Sequence, residues 1–354
     1  MRLLDNLQAM ERMDRLGMLE RAEALPAECL AGWEAGRRWP LSKQLSQMKQ
    51  VVTLGMGGSA IGADILQGIL GDRLSRPLFV NRTYMLPEWV GRGSVVLACS
   101  YSGNTEETLS AARQARQRGA NLLAITSGGE LAAWAKRHRI PLLNIPRGLP
   151  PRSALGYMAF IPLGLFVRLG WARRSRLPVE SACAALERYI RKELVPEVRT
   201  SANPAKRLAL SLVGRLPVLY GPAGGWEGLT YRWRTQLEEN SKTLAFHHIF
   251  PEATHNEISA WLQPKPLMKS LAAVFLTDPA AHPRTLRRME FTRRIIRSQG
   301  ARVLQVEADG RSLLERLLKL IALGEFASIY LAFLHREDPT PVVRVEALKR
   351  FMKK

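Results

Sequence analysis

Cysteine is scarce in this 354-residue sequence, and the three cysteines that occur are far apart. Cys29, Cys99 and Cys183 form neither a CxxC pair nor a closely spaced cluster. A small scaffold held together by disulfide bonds is therefore excluded. The pattern predicts a protein of a reducing compartment, the cytoplasm.

Long apolar runs are also missing. No stretch approaches the roughly 20 uninterrupted apolar residues that a membrane span needs. The most apolar segment, residues 154–169, contains Arg168 and therefore predicts a buried helix. Charged residues such as Asp5, Glu11 and Arg12 interrupt any apolar core of a secretory signal. We expect a soluble globular protein without a membrane partner.

Acidic side chains are outnumbered, with 31 Asp and Glu against 52 Lys and Arg, and the formal net charge is +21. Such a charge raises the hypothesis of nucleic-acid binding. The arginines are nevertheless scattered through the predicted helices, as at Arg113, Arg116 and Arg118, and there is no basic tail. We therefore expect a solvated basic surface that attracts small anions, and no nucleic-acid partner.

What the sequence does contain is a regular alternation of strand-like and helix-like segments. Short apolar runs occur at 51–54, 77–80, 95–99, 122–125 and 141–145, and again at 217–220, 272–276 and 302–306. Most of these runs are separated by helical patterns and by turns rich in Gly or Ser. The alternation predicts an α/β fold with two doubly wound, mostly parallel sheets in three-layer αβα domains.

The same patterns suggest where the domains begin and end. We expect an N-terminal helical arm at 1–45, a first sheet domain at 46–175, a helical linker at 176–205 and a second sheet domain at 206–354. The arm is predicted from one continuous apolar stripe at helix spacing, formed by Leu4, Leu7, Met10, Met13, Leu16 and Leu19.

A hydroxyl-rich turn, S-Y-S-G-N-T, follows the third predicted strand and precedes a helix. The unpaired N–H groups and the dipole of such a helix favour an anion. Ser100, Ser102 and Thr105 add hydroxyl donors without adding charge. Alternatively, the turn only caps the helix, since Asn104 with Glu107 three residues later resembles a capping box.

A second loop of this kind follows the first predicted strand. Gly55-x-Gly57-x-x-Ala60 satisfies a loose dinucleotide fingerprint, but the acidic residue expected roughly 20 positions later is missing. No Gly-Lys-Ser/Thr follows, which excludes a Walker loop. Gly58 and Ser59 remain as anion donors. Because parallel strands end at one edge of a sheet, we expect the two loops to hold a single phosphate.

Three side chains are candidates for acid–base chemistry. Glu239 lies off the apolar stripe of its predicted helix, His255 lies in a short polar turn, and Arg152 follows two prolines. Histidine titrates near neutral pH, and a fixed arginine can stabilise an oxyanion. The structural alternatives are a surface glutamate and a linker arginine. The six histidines show no metal-ligand spacing, so no metal site is predicted.

Five short segments together resemble the bifunctional phosphoglucose/phosphomannose isomerases of the sugar-isomerase (SIS) fold. They are Gly57-Gly58-Ser59, Ser100-Tyr101-Ser102-Gly103-Asn104-Thr105, Pro151-Arg152, Glu239-Asn240 and His255-Asn256-Glu257. The S-Y-S-G-N-T-E-E-T turn is typical of SIS domains in general, whereas E-N followed by P-E-x-x-H-N is specific to this family. The resemblance covers nearly the whole chain and implies that both sheet domains are SIS domains, of which the first would bind phosphate.

The resemblance implies an enzyme that interconverts glucose 6-phosphate and mannose 6-phosphate with fructose 6-phosphate. Ring opening would be followed by proton transfer through a cis-enediol. Glu239 matches the base of the proton transfer, and burial should raise its pKa. His255 matches the ring-opening group, which family members take from the neighbouring subunit of a homodimer. Arg152 matches the group that steadies the enediolate, and Lys349 matches a lysine near the ring oxygen.

The resemblance also implies how the substrate is held. The residues expected at the phosphate are Gly58, Ser59, Ser100, Ser102 and Thr105, together with nearby main-chain amides. Neither a metal ion nor an organic cofactor is implied. Thr340 is a candidate neighbour of the sugar that would influence the choice between glucose and mannose configurations.

Two other functions use the same fold. An aminosugar-phosphate isomerase such as the isomerase half of glucosamine-phosphate synthase would carry an N-terminal cysteine glutaminase domain, but Arg2 occupies position 2 and the first cysteine is Cys29. A regulator that senses sugar phosphates would need a helix-turn-helix domain, for which the N-terminal arm is too short. Glu239 and His255 would also have no task in a sensor.

Overall fold

The computed structural model describes residues 2–352. The strands are β1 (Gln50–Leu54), β2 (Leu78–Asn81), β3 (Ser94–Ser100), β4 (Asn121–Thr126), β5 (Leu142–Asn144), β6 (Leu216–Pro222), β7 (Phe246–Phe250), β8 (Leu271–Thr277) and β9 (Arg302–Glu307). The helices are α1 (Leu7–Met13), α2 (Met18–Glu23), α3 (Leu25–Arg38), α4 (Gly57–Leu70), α5 (Glu106–Gln117), α6 (Gly129–Arg137), α7 (Leu155–Arg168), α8 (Val179–Tyr189), α9 (Pro204–Leu212), α10 (Glu227–Glu239), α11 (Lys265–Met268), α12 (Pro283–Ser298), α13 (Leu313–Leu334) and α14 (Val343–Phe351).

The strands form two separate sheets. The first has the order β2-β1-β3-β4-β5 and the second the order β7-β6-β8-β9. Every strand pairing is parallel. The inner strands are buried along nearly their whole length, as expected where helices cover both faces of a parallel sheet. The predicted α/β fold with two parallel sheets is confirmed.

The strand order of the first sheet places a ligand crevice between β1 and β3. From β1 the chain moves outward to β2 and then crosses to β3 on the other side of β1. Ligands of open parallel sheets bind beyond the carboxyl ends of the strands at such a reversal. The register pairs Leu54, the last residue of β1, with Ala98, and β3 continues for two more residues to Ser100. The Gly-rich and Ser-rich turns therefore leave the sheet side by side.

Strand β7 is not predicted by the sequence. It is the edge strand of the second sheet and pairs only with β6. Of its five residues, only Phe250 is buried. His247 and His248 interrupt the apolar pattern that identifies the inner strands, which explains the omission.

The N-terminal arm is helical, but it is not one helix. The carboxylate of Asp14 accepts hydrogen bonds from the main-chain N–H groups of Met18 (2.7 Å) and Leu19 (2.9 Å) and thereby caps α2. Leu16 lies in this break between α1 and α2 and is 57% exposed, and Leu7 at the start of α1 is 45% exposed. The predicted continuous apolar stripe is wrong, because local capping by Asp14 outweighs the helical periodicity.

The last helix of the arm lies in the hydrophobic core. Helix α3 packs along α7, and glycines permit the close approach. A Cβ atom on Gly36 would lie 2.0 Å from the carbonyl oxygen of Ile161, and one on Gly164 would lie 2.4 Å from that of Trp33. Larger side chains at these positions would separate the two helices.

Helix α13 is the one helix in the described part of the chain that is long and apolar enough to cross a membrane. Within its most apolar stretch, 89% of the residues are buried inside the protein. It contacts α8, α9 and α10. We therefore interpret α13 as a core helix, which packs the second sheet domain against the preceding helices.

Helices α4 and α10 join the two sheet domains. A Cβ on Gly228 would lie 2.7 Å from Cβ of Asp64, and one on Gly68 would lie 2.2 Å from the carbonyl oxygen of Gly225. The earlier position, Asp64, meets the later one, Gly228, and the later position, Gly68, meets the earlier one, Gly225. The two helices therefore run antiparallel. The N-terminus of α4 consequently points toward the C-terminal end of α10, where Glu239 is located.

Candidate active site

The turn between β1 and α4 lies directly on the segment that carries Arg152. Helix α4 begins at Gly57, and Met56 before it provides no side-chain cap. The main-chain N–H groups of this first turn are thus not covered by their own cap residue. A Cβ on Gly58 would lie 2.8 Å from the carbonyl oxygen of Pro151 and 3.1 Å from Cα of Arg152. Only glycine permits this approach.

Ser59 connects the two predicted anion-binding turns. Its hydroxyl oxygen accepts a hydrogen bond from the main-chain N–H of Tyr101 at 3.2 Å. The hydroxyl of Tyr101 donates to the carbonyl oxygen of Pro146 (3.1 Å) and accepts from the N–H of Leu149 (2.7 Å). The two turns are therefore fixed next to each other at the carboxyl edge of the first sheet, as the sequence predicts.

The hydroxyl groups of the second turn hold it in shape. Ser100 and Thr105 share a hydrogen bond of 2.8 Å, and the Ser100 hydroxyl also accepts from the N–H of Gly103 (3.1 Å). The Ser102 hydroxyl accepts from the N–H of Asn104 (3.2 Å). Ser100 is buried, whereas Ser102 and Thr105 are half-buried. The turn is preorganised, with two of its hydroxyl groups near the surface.

The capping alternative for this turn does not hold. Thr105 occupies the position before α5, and its side chain makes no capping bond to that helix. The side-chain oxygen of Asn104 instead accepts from the N–H of Glu130 in the first turn of α6 (2.9 Å). The capping box between Asn104 and Glu107 is therefore wrong, because Asn104 serves the neighbouring helix.

Arg152 is the centre of the site. Its side chain is 3% exposed. Its Nε donates to Oδ1 of Asn240 (2.7 Å), Nη1 to Oε2 of Glu239 (3.4 Å), and Nη2 to the carbonyl oxygens of Pro339 and Thr340 (2.8 Å each). Burial lowers the pKa of Arg152, and the neighbouring Glu239 charge opposes that shift. The reading of Arg152 as a linker residue is excluded by this burial and bonding.

Glu239 lies where α10 ends, next to Arg152. The burial predicted from the sequence for this carboxylate is not found in the single chain, since the side chain is 35% exposed. Asn240, the next residue, is fully buried and donates from Nδ2 to the hydroxyl oxygen of Ser328 (2.9 Å). The Glu239 side chain is thus open to solvent on one side. On the other side it is held by Arg152, which also bonds to the neighbouring Asn240.

Lys242 is a member of this site that sequence reasoning missed. Its ammonium donates to the carbonyl oxygens of Glu239 (3.1 Å), Asn240 (3.1 Å), Asp338 (2.7 Å) and Pro339 (3.1 Å). Burial of the ammonium, together with the nearby Arg152 charge, lowers the pKa of Lys242 to about 8. Its φ of +55° is unusual for a residue other than glycine. Lys242 fastens the end of α10 to the loop that contains Thr340.

His255 and Lys349 lie outside these contacts. His255 is exposed in the turn after β7, and Lys349 is exposed on α14. Within residues 2–352, no hydrogen bond or ion pair joins either side chain to Arg152 or Glu239. One chain therefore brings together the two turns, Arg152, Glu239 and Thr340, and it presents His255 and Lys349 at its surface.

The turn that carries His255 is well supported. Tyr220, which is buried in the second sheet, donates its hydroxyl proton to Oε1 of Glu257 (2.5 Å), and Nε1 of Trp261 donates to the same oxygen (2.6 Å). Arg288 of α12 donates from Nη1 to the Thr254 hydroxyl (2.9 Å). His255 is thus an exposed side chain on a fixed turn.

Behind Arg152 lies a cluster of buried charged groups. Arg232 on α10 is 1% exposed and pairs with Glu325 on α13, which is 3% exposed, at 2.9 Å. Glu28 on α3 is also buried, and its Oε2 has no partner among the described residues. Burial and the Glu325 charge raise the pKa of Glu28 to about 8. Sequence reasoning missed this cluster, although Glu325 is the only charged residue between Ile321 and Leu334.

The raised pKa of Glu28 predicts a pH-dependent stability. Between pH 4.5 and about 8 the folded state binds a proton that the unfolded state has released, so stability falls as pH rises through this window. The contribution of Glu28 to the slope should approach about 1.4 kcal/mol per pH unit. It should be clearest between pH 6.5 and 8, because burial lowers the pKa of His247 to about 4, and this shift makes stability rise with pH below pH 6.5. Glu28→Gln should remove the Glu28 contribution and raise the unfolding midpoint at pH 8. Urea unfolding at pH 5, 6.5 and 8 measures both effects.

The matched control for this measurement is Glu34→Gln on the same helix, because Glu34 is a partly exposed residue that pairs with Arg37. It should leave the wild-type slope unchanged. Equal slopes for wild type and Glu28→Gln would show that Glu28 is already ionised in the folded protein.

Among residues 2–352, no group of three or more His, Cys, Asp or Glu side chains is arranged to hold a metal ion.

Comparisons with known proteins agree with this architecture. The SIS domain family model matches residues 44–141, and the model of the bacterial phospho-glucose isomerase C-terminal SIS domain matches residues 201–352. A hypothetical protein from Thermus thermophilus has a similar structure, with a TM-score of 0.76 at 17% identity over 98% of this chain and 93% of that one. A glucose-6-phosphate isomerase like protein from the same organism gives 0.63 at 21% identity over 96% and 98%. Fold and site together define a protein with two SIS domains.

Sequence similarity identifies the family. A bifunctional phosphoglucose/phosphomannose isomerase of Caldicellulosiruptor bescii is 40% identical over 333 residues, which is 94% of this chain and 98% of that protein. The protein of the same description from Aquifex aeolicus is 34% identical over 315 residues, or 89% and 93%. The chain belongs to the bifunctional phosphoglucose/phosphomannose isomerase family.

Proposed function

We propose that this protein is an aldose–ketose isomerase that interconverts glucose 6-phosphate and mannose 6-phosphate with fructose 6-phosphate. The observation that carries the proposal is the position of Arg152. Its main chain lies against the turn at Gly58, and its guanidinium bonds to Glu239. A loop suited to phosphate and a carboxylate suited to proton transfer thus meet at one residue. The relatives described as bifunctional phosphoglucose/phosphomannose isomerases support the same reaction.

The substrate phosphate would bind between the two turns of the first sheet. Its ligands would be Gly58, Ser59, Ser100, Ser102 and Thr105, with main-chain N–H groups at the start of α4 and α5. The uncapped first turn of α4 favours an anion there. Ser102 and Thr105, which are half-buried, can turn their hydroxyl protons toward a phosphate oxygen.

Ring opening would use His255 of a neighbouring subunit. The imidazole would take the proton of the anomeric hydroxyl and return one to the ring oxygen, since its ring nitrogens can both accept and donate a proton. His255 is exposed on a fixed turn and, within the described part of the chain, makes no bond to Arg152 or Glu239. This placement supports a homodimer in which each site uses both chains. Lys349 would assist near the ring oxygen.

The proton shift would use Glu239. In the open-chain aldose the carboxylate takes the proton from C2, the C–H electrons form the C1–C2 double bond, and the carbonyl electrons move to O1. Arg152 would stabilise the charge that develops on the enediolate oxygen. Glu239 then returns its proton to C1 while the hydroxyl proton at O2 is released and O1 is protonated. No net electron transfer occurs, so no redox cofactor is needed.

Glucose and mannose 6-phosphate differ only at C2, which is planar in the enediol. Rotation about the C2–C3 single bond, next to the C1–C2 double bond of the enediol, would let Glu239 return the proton to either face of C2. Thr340 is placed to influence this choice, since its carbonyl bonds to Arg152 and its Oγ1 is buried without a partner among the described residues. A substrate hydroxyl is a suitable partner for that oxygen.

The proposal predicts turnover of both substrates in the presence of a chelator. Purified protein should convert glucose 6-phosphate and mannose 6-phosphate to fructose 6-phosphate in parallel coupled assays without added metal. Thr340→Val, which removes only the hydroxyl function, should change the ratio of the two kcat/KM values by about 5-fold or more. Side-by-side initial rates at several substrate concentrations measure this ratio.

Several results would contradict this proposal. Absence of activity on both hexose phosphates would reject the reaction, and dependence on a metal ion would reject the cofactor-free mechanism. An unchanged ratio in Thr340→Val would remove Thr340 from substrate choice while leaving the reaction intact.

The division into an arm (1–45), a first SIS domain (46–175), a helical linker (176–205) and a second SIS domain (206–354) is also part of this proposal. The family models match within the two proposed domains except at their first residues. A cytoplasmic location is consistent with three free, buried cysteines.

A further inference from the structure

The buried ion pair of Arg232 and Glu325 supports the main chain of Arg152. Both Nη atoms of Arg232 lie 3.3 Å from the carbonyl oxygen of Arg152, to which they donate. Nη2 also donates to Oε2 of Glu325 at 2.9 Å. The guanidinium therefore connects α13 to the short segment that carries Arg152.

A second route from α13 reaches the side chain of the same arginine. The Ser328 hydroxyl, one turn after Glu325, donates to the Glu325 carbonyl oxygen (2.7 Å) and accepts from Nδ2 of Asn240 (2.9 Å). Asn240 in turn accepts from Nε of Arg152 (2.7 Å). One turn of α13 thus fixes both the backbone and the guanidinium of Arg152.

Stability alone does not explain a buried ion pair at this place. Removing two charges from water is unfavourable, and replacing such a pair with apolar residues of similar size is often neutral or stabilising. The surrounding part of α13 is apolar and would accommodate an apolar pair. The geometry requires an arginine, because a planar guanidinium can donate to a carbonyl and a carboxylate together, whereas an ammonium lacks this fixed fork.

We propose that Arg232 and Glu325 are positioning residues for the isomerisation: they hold Arg152 at the place where negative charge develops on the enediolate. This inference rests on the proposed function, in which Arg152 stabilises that charge. Small displacements of a group that acts in the transition state reduce the rate of the chemical step. Three of the five proposed phosphate donors, Ser100, Ser102 and Thr105, lie on another turn, whereas Gly58 lies against the main chain of Arg152. Substrate binding should therefore change less than the rate of the chemical step.

The decisive variant is the apolar pair Arg232→Met/Glu325→Leu. It should fold with an unfolding midpoint equal to or above that of wild type, and its kcat should fall by about 10- to 100-fold while KM changes by less than about 3-fold. Arg232→Lys, which keeps the charge but loses the fork, should also lower kcat. Steady-state kinetics and thermal unfolding of the full-length protein give these values.

Inhibitor binding separates positioning from a general structural effect. The affinity for 5-phosphoarabinonate, whose carboxylate resembles the enediolate, should fall by a factor similar to that of kcat. The affinity for sorbitol 6-phosphate, which has the phosphate but no anionic head, should stay within about 2-fold of wild type. A merely loosened site would weaken both ligands.

The matched control is Arg316→Met/Asp278→Leu. This pair is also largely buried, with 16% and 3% exposure and a distance of 3.1 Å, but it has no bond to Arg152. Its variant should leave kcat and the ratio of the two inhibition constants unchanged. A fall in kcat for this variant as large as that for the Arg232 and Glu325 pair would overturn the proposal.

The remaining outcomes are also informative. A folded Arg232→Met/Glu325→Leu protein with wild-type kcat overturns the positioning role. If that variant does not fold, wild-type kcat in both Arg232→Lys and Ser328→Ala overturns it instead. The proposed function fails separately, through an inactive wild-type protein or an Arg152→Lys variant with full activity.

Discussion

Glu239→Gln is expected to reduce kcat for glucose 6-phosphate by about 10³-fold, because general-base catalysis typically contributes 10²- to 10⁴-fold. The amide keeps the shape of the side chain and can still accept from Nη1 of Arg152, but it cannot take the proton from C2. KM should change little, since the proposed phosphate donors lie in the first sheet domain. A coupled assay that follows fructose 6-phosphate formation measures both constants.

The neighbouring residue provides the matched control. Glu238 precedes Glu239 on α10, and it pairs with Arg234 at 3.7 Å on a partly exposed surface. Glu238→Gln should keep wild-type kcat, because such exposed pairs contribute little. Full activity in Glu239→Gln, with the fold intact, would assign the proton transfer to another group and would leave Arg152 without its proposed partner.

Solvent isotope incorporation adds an independent measurement. Proton removal from C2 by Glu239 should wash deuterium into the product from D₂O whenever the carboxyl proton exchanges before it is returned to C1. In Glu239→Gln this incorporation should decrease together with the overall rate. Persisting incorporation at a reduced net rate would instead point to a defect in ring opening.

The sheets were predictable because their inner strands are buried on both faces. Apolar runs such as those at β3 and β8 have no helical periodicity and are followed by polar turns, which identifies them from sequence alone. β7 was missed because an edge strand with one partner does not need such a run. The prediction of one continuous helical stripe in the arm is wrong because the carboxylate of Asp14 accepts hydrogen bonds from the N–H groups of Met18 and Leu19. A new helix begins there, although the apolar spacing continues across it.

The site was predictable to the extent that its residues belong to local patterns. The two turns could be placed together because parallel strands end at one edge of their sheet, and the bond from Tyr101 to Ser59 agrees with this. The contacts of Arg152 with Glu239, and of Lys242 with the Asp338 carbonyl, bridge about 90 residues or more of sequence. Such contacts depend on how α4, α10 and α13 pack, which no local pattern encodes.

The exposed position of His255 leads to the second large effect. If His255 completes the site of the neighbouring subunit, Glu239→Gln and His255→Ala subunits should complement each other. In a mixed dimer, the site that combines Glu239 of one chain with His255 of the other is intact, and the second site lacks both groups. A purified mixed dimer should therefore have about half of wild-type activity, and a random mixture about a quarter.

The experiment requires dimers of known composition. Co-expression of the two variants with different affinity tags, followed by sequential purification, yields the mixed dimer, and the two parent homodimers give the background rates. Size-exclusion chromatography with light scattering establishes that each preparation is a dimer. Both parents should be nearly inactive, so that recovery in the mixed species is a large relative effect.

Arg152 supplies the control, because it bonds to Glu239 within one chain. A mixed dimer of Glu239→Gln and Arg152→Met subunits has one defect in each site, and it should stay as inactive as its parents. If Glu239→Gln subunits regain activity in mixed dimers with His255→Ala subunits but not with Arg152→Met subunits, the result would show that His255 acts together with Glu239 of the other subunit. Inactivity of both mixed dimers would place His255 in the site of its own chain, which would require the turn after β7 to move toward α10 when substrate binds.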